Sequence, residues 1–196
     1  GSIEGYGSVF GNKDSYNDVI QKGAFAESIK SHKSSQTMPA MLWQHDSSQP
    51  IGVWTDITED ANGLHMRGQL AMGTVKGKEA YELAKMGALN GLSIGFVAKG
   101  WEYAQGGEVR SLTELELWEV SLVTFPANTK ARITGVKSTE EIATLKDAER
   151  VLRDSGFSKQ DALAFVSRVK TLSSRSDSDD MGELKSALEK LKSKLS

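Results

Sequence analysis

The stretch Gly91-Leu92-Ser93-Ile94-Gly95-Phe96 decides between two folds. Read as G-x-S-x-G, it matches the nucleophile elbow of the α/β-hydrolases, where a strand turns sharply at the serine into a helix and the acid and histidine follow in chain order. Here Ile94-Gly95-Phe96-Val97 continues, β-prone, toward Trp101 and Tyr103, and the three histidines, His32, His45 and His65, all precede the serine. The stretch is therefore a strand carrying a serine between two glycines, placed where backbone must approach backbone or substrate. A hydrolase elbow is excluded.

Outward from that strand, short apolar or alternating runs recur from Ile3 to about Val136: Tyr6 to Phe10, Ala40 to Trp43, Ile51 to Ile57, Leu64 to Leu70, Leu92 to Ala98 and Leu112 to Val123. Asn62-Gly63 marks a hairpin. Helices are predicted over Gly23 to Ser31 and Thr74 to Met86, the second with Ala80, Leu83 and Ala84 on one face. Strands dominate without regular βα alternation, so the expectation is a mainly β, α+β domain over 3–136, a barrel with a few helices.

Past Val136 the pattern becomes helical. Ser138-x-x-Glu141 and Ser158-x-x-Asp161 read as helix N-caps with Gly156 as the stop between them, and Ile142, Leu145, Leu152, Leu163, Val166 and Val169 supply apolar stripes. A helical hairpin is predicted over 137–172, a polar linker over 173–180 (SSRSDSDD), and a short amphipathic helix over 181–196 whose Leu184, Leu188, Leu191 and Leu195 form a coiled-coil seam. That helix is marginal alone and calls for a partner or self-association.

Composition narrows the chemistry. The 196 residues contain no cysteine, which removes disulfides, thiolate zinc sites and cysteine nucleophiles, and three scattered histidines make a poor metal cluster. No cofactor or metal is expected, and nucleophilic chemistry falls to Ser, Thr or Lys. A net charge of -2 gives no footprint for nucleic acid, and no apolar run approaches a membrane span. Gly1-Ser2 reads as a cloning scar and no signal peptide opens the sequence, so a cytosolic protein is expected.

A serine nucleophile needs a base, and the base needs a group that fixes its tautomer. Strand parity sets His45 on the side of Met41 and Trp43, hence partly buried; it sets His65 with Arg67 and Gln69, hence toward solvent; and His32 falls in a polar loop. In Leu115-Glu116-Leu117-Trp118-Glu119-Val120-Ser121-Leu122-Val123, alternation places Glu119 on the face of Leu115, Leu117 and Val123. A carboxylate there requires a partner, and an ion pair with a lysine or arginine satisfies it as well as a histidine does. Asp46 reads as the cap of the turn before Pro50.

Taken in order, Glu4-Gly5-Tyr6-Gly7-Ser8-Val9-Phe10, Gly23-Ala24-Phe25, Trp43-Gln44-His45-Asp46, Gly91 to Phe96, and Glu119-Val120-Ser121-Leu122-Val123 followed by Pro126-Ala127-Asn128 resemble the tailed-phage prohead (capsid maturation) serine proteases, a family distantly related to the herpesvirus assemblins. The resemblance implies a closed β-barrel of the assemblin type ringed by helices, and a serine endopeptidase that trims scaffold segments from the major capsid protein and cleaves itself. It implies action in the bacterial host cytoplasm, inside the assembling procapsid. It also implies Ser93 as nucleophile, His45 as base and Glu119 as third member, with His65 as the rival third member because assemblins use a second histidine. The assemblins' arginine-rich oxyanion segment has no counterpart near Ser93. A barrel that binds capsid or scaffold without cutting it is the non-enzymatic alternative.

Overall fold

The computed structural model describes residues 1–104, 106–137, 144–154 and 157–173. Its organising feature is one long antiparallel ladder, β6 (Gly91–Tyr103) against β7 (Arg110–Val123). Around it the chain adds β1 (Ser2–Val9), β2 (Asp18–Ile20), α1 (Ala26–Ser35), β3 (Ala40–Trp43), β4 (Asp46–Glu59), β5 (Gly63–Leu70), α2 (Val75–Lys85) and β8 (Ile133–Lys137), then α3 (Leu145–Asp154) and α4 (Lys159–Ser173). The chain divides into two compact units, Gly1–Lys137 and Ser138–Ser196.

The first unit is a single eight-stranded sheet, mixed α+β, curled into a half-barrel. One edge of β7 is shared by two parallel partners, β2 along its first residues and β3 along its last, while its other edge carries β6. From β3 the order runs through β4, β5 and β1 to β8. The closed barrel expected from the sequence is not formed: the half-barrel is open. Its two ends, β6 and β8, meet only at the isolated bridge Gly91–Arg132, flanked by Leu92 N–H to Ala131 O (3.3 Å) and Ile133 N–H to Asn90 O (2.9 Å). β8 pairs with β1 on one edge, and at five residues it is too short to follow the thirteen of β6 with the other. Ser2, set aside in the sequence reading, belongs to β1 and pairs with Gln69 and Lys137.

The concave face is filled by one core, in which Ile3, Met41, Ile51, Ile57, Leu64, Met66, Leu92, Val120 and Leu122 are almost fully buried. Trp54 inserts among them and donates its Nε1–H to Val120 O at 3.1 Å, so its polar edge is satisfied inside the apolar body. Helix α1 begins later than the predicted start at Gly23, at Ala26; α2 is capped by Thr74, whose Oγ1 accepts from Gly77 N–H at 3.0 Å.

In the second unit α3 and α4 form a hairpin packed on Leu152, Ala162 and Val166, with Ala148, Phe157 and Phe165 against them. Thr144 and Asp147 cap α3 reciprocally, each side chain accepting the other's N–H, whereas at α4 Ser158 Oγ accepts from Asp161 N–H and donates to Asp161 Oδ2. The expected cap at Ser138 and Glu141, Ile142, the Gly156 stop, the linker from 174 and the leucine-seamed helix of 181–196 lie outside the described residues.

Candidate active site

Two irregularities build the site. The first is in β7. Gly95 pairs with Glu119, but the next residue, Phe96, pairs with Leu117, so Trp118 is the extra residue of a β-bulge. A one-residue insertion inverts the alternation after it. Leu115 and Leu117 therefore point into the core before the bulge, and Val120 and Leu122 after it. Glu119 and Ser121 are turned to the convex face. This corrects the parity reading, which put Glu119 with Leu115 and Leu117. The carboxylate does not enter the core; it lies on the outer face with its side chain 13% exposed.

The second irregularity is the β3–β4 connection. Trp43 pairs with Asp46, leaving Gln44-His45 as a two-residue loop with φ of 53° and 63°. Positive φ at both central residues is the signature of a type I′ hairpin turn, in which non-glycine residues sit in the sparsely populated left-handed region. His45 is thus on a turn rather than on the strand expected for it. Because β3 runs parallel to β7, with Trp43 level with Leu122, the turn folds over the convex end of β7. Gln44 anchors it there, its amide bonding Thr124 from both ends (2.8 and 3.2 Å) and its N–H donating to Leu122 O.

The turn delivers the imidazole to the carboxylate. His45 Nδ1 and Glu119 Oε1 are 2.6 Å apart, while Glu119 Oε2 accepts from Ser121 Oγ at 2.5 Å and Ser121 Oγ in turn accepts from His45 N–H at 3.1 Å. The hydrogen bond to Glu119 holds the His45 pKa above the usual 6.5; partial burial opposes this and the carboxylate's charge adds to it. With Nδ1 committed to Glu119, Nε2 is the ring nitrogen left for another partner, on a side chain 43% exposed.

Ser93 lies on the same face from β6, and among the described residues no hydrogen bond joins it to His45 or Glu119. Its core-facing neighbours are Leu92 and Ile94, so Ser93 projects from the convex face, directly across the ladder from Ser121. Paired residues on one face of an antiparallel ladder keep their Cβ atoms about 4.5–5.5 Å apart. Ser93 is 6% exposed. The glycines on either side have separate causes. A Cβ on Gly91 would sit 2.7 Å from Val123 O and 2.8 Å from Pro126 Cδ, a backbone approach; a Cβ on Gly95 would occupy the space of the Glu119 carboxylate.

The other candidates fall elsewhere. His65 is on β5, half-buried rather than solvent-facing, because Tyr6 across the ladder lies edge-on to its ring at 5.2 Å. Among the described residues no hydrogen bond joins it to His45, Ser93 or Glu119. His32 is not in a loop but in the last turn of α1, its ring tied to Thr37 Oγ1 and Leu117 O, both at 3.0 Å. Asp46 braces the start of β4 through Ser48 and Gln49, and the Ser48 hydroxyl chiefly holds its carboxyl below the usual range. Sequence reasoning missed Ser121, whose only local signal is its place two residues after Glu119 on a strand.

The outer face of this α+β half-barrel thus carries a histidine joined to a carboxylate, with Ser93 projecting from the same face of the sheet. Residues 1–147 match the family model of the Caudovirus prohead serine proteases, and the chain belongs to that family. It is 36% identical over 200 residues to the prohead protease of Enterobacteria phage HK97, covering 98% of this chain and 87% of that protein. It is 40% identical over 103 residues to a capsid polyprotein of Pseudomonas phage PAJU2, covering 50% of this chain and 15% of that one. Among solved structures, the bacteriophage T4 capsid assembly protease is similar in fold, with a TM-score of 0.50 and 13% identity over 62% of this chain and 82% of that chain.

Proposed function

We propose that this chain matures the phage capsid as a serine endopeptidase in which Ser93 is the nucleophile, His45 the general base and Glu119 the group that orients it. The observation that carries the reading is the 2.6 Å contact of His45 Nδ1 with Glu119, which fixes the tautomer that leaves Nε2 unprotonated on the side of the ladder where Ser93 projects. As Ser93 Oγ attacks the scissile carbonyl, Nε2 takes its proton, and Glu119 stabilises the imidazolium. The proton then passes to the leaving amine, and water, deprotonated by the same nitrogen, releases the acyl group. Glu119 fills the third place here because it touches His45, whereas His65 touches Tyr6.

The substrate is the major capsid protein with its scaffold segment, cut inside the assembling procapsid in the host cytoplasm; the likeness to a capsid polyprotein supports a capsid substrate. The second unit, with its paired helices and the leucine seam beyond them, would dock onto helical scaffold, and the polar segment after α4 would be a place for self-cleavage. A chain ending at Thr171 that entered procapsids at wild-type copy number would contradict that docking role. Replacing Ser93 tests the activity itself. Ser93→Ala is expected to cut turnover of the capsid precursor by roughly four to six orders of magnitude with the fold retained; processing at the wild-type rate would refute the reading.

A further inference from the structure

We propose that Ser121 is a positioning residue of this site, one hydroxyl that holds both the carboxylate of Glu119 and the backbone of the His45 turn and thereby aims the imidazole at Ser93. The inference rests on the reading of Ser93, His45 and Glu119 given above.

Ser121 is fully buried on the convex face of β7, level with Ser93 and two residues from Glu119. A hydroxyl offers one proton and two lone pairs. The proton goes to Glu119 Oε2 at 2.5 Å, and a lone pair receives His45 N–H at 3.1 Å. Ser121 cannot itself be the nucleophile: its proton is given to a carboxylate, the backbone of His45 and not its ring contacts the oxygen, and no surface of it is open to a substrate. Its effect must act through its two partners.

Both partners need it. A carboxylate rotates easily about its last torsion, which has broad minima. The Glu119 carboxylate has both oxygens engaged, Oε2 by Ser121 and Oε1 by His45. Releasing Oε2 lets Oε1 swing away from Nδ1. The His45 N–H is presented by a residue at φ 63°, and without Ser121 Oγ it loses its acceptor, a cost that favours relaxation of the turn. Either change displaces the ring, and a displacement of about 1 Å is enough to cost on the order of 100-fold in rate. The charged or titratable groups around His45 are Glu119 from β7 and Asp46 on its own hairpin, whose carboxylate is turned to Ser48 and Gln49; β6 contributes the Ser93 hydroxyl and the bare backbone of Gly95.

The test compares Ser121→Ala with Ser121→Thr, which keeps the hydroxyl, in the full chain. A fluorophosphonate that phosphonylates the active serine gives the rate across pH, and the His45 Nδ1–H proton resonance gives a readout that needs no activity. Ser121→Ala is expected to slow labelling about 10- to 100-fold, move the acid limb of the pH profile downward and lose the Nδ1–H resonance, while Ser121→Thr restores all three. A Ser121→Ala protein with the wild-type rate and limb overturns the proposal. So does equal slowing in Ala and Thr variants with the limb and the resonance unmoved, which is what a packing role produces. Labelling that persists in Ser93→Ala while Ser121→Ala still loses the resonance would instead sink the nucleophile assignment and leave the role of Ser121 standing.

Discussion

Glu119 and His45 face each other across 2.6 Å but are held by opposite means. Glu119, like Ser121 and Ser93, sits on the β6–β7 ladder, whose pairing runs from Gly91–Val123 to Tyr103–Arg110 and whose inner face is packed on the main core. His45 sits on a two-residue turn with both residues in the left-handed region, tied down by Gln44 to Thr124 and by its own N–H to Ser121. The backbone that carries the carboxylate is placed by the fold as a whole and that of the base by a few local bonds. Damage to the ladder side should therefore cost more rate than damage to the turn side.

The largest effect along this contrast is expected from Glu119→Gln, which keeps the shape of the side chain and removes its charge. Activity should fall about 10²- to 10⁴-fold, in line with an orienting carboxylate lost from a triad. The pH profile carries a sign. His45 works as a base only when neutral, and Glu119 raises its pKa above 6.5, so wild-type activity should rise with pH through a limb above that value. In Glu119→Gln the negative charge that favours the imidazolium is gone, and the limb should move down. The same linkage makes the pair stabilising while His45 is protonated: the contribution is fully present below 6.5 and is lost as pH climbs through the raised folded value. Thermal melts from pH 5 to 9 compared between wild type and Glu119→Gln would show the difference shrinking as pH rises.

A smaller loss is expected from Gly95→Ala. The new methyl takes the space of the Glu119 carboxylate and pushes it from Nδ1, so the rate should drop on the order of 100-fold; an unaffected rate would mean that Glu119 has room to spare. Least affected should be Gln44→Ala, which loosens the turn from Thr124. Stability should fall by about 1 kcal/mol and activity by less than tenfold. A greater loss here than in Gly95→Ala would invert the contrast and make the turn the critical element.

These same irregularities explain how far the sequence could be read. The strands from Ala40 to Val123, the hairpin at Asn62-Gly63 and helix α2 follow from alternation, turn residues and a cap, which are local signals. The candidate residues Ser93, His45 and Glu119 were legible as residue types in family-like stretches, but their geometry was not. Nothing in Leu117-Trp118-Glu119-Val120 announces a bulge, because Trp118 passes for an ordinary alternating residue; the extra residue exists only relative to the partner strand. Gln44-His45 lacks the glycine or asparagine that marks a type I′ turn, since the Thr124 and Ser121 contacts supply what those residues would have supplied. The opening between β6 and β8 depends on which strand occupies which edge, a long-range fact outside any local window.

The central claim, that Ser93 is the nucleophile activated by a Glu119-bound His45, is tested most directly by labelling the full chain with a fluorophosphonate across pH and locating the adduct by mass spectrometry. The account predicts a single phosphonyl group on Ser93, formed at a rate that rises through a pKa above 6.5 in wild type and through a lower one in Glu119→Gln. An adduct on another serine, or labelling of Ser93 at a rate indifferent to both pH and Glu119, would contradict it.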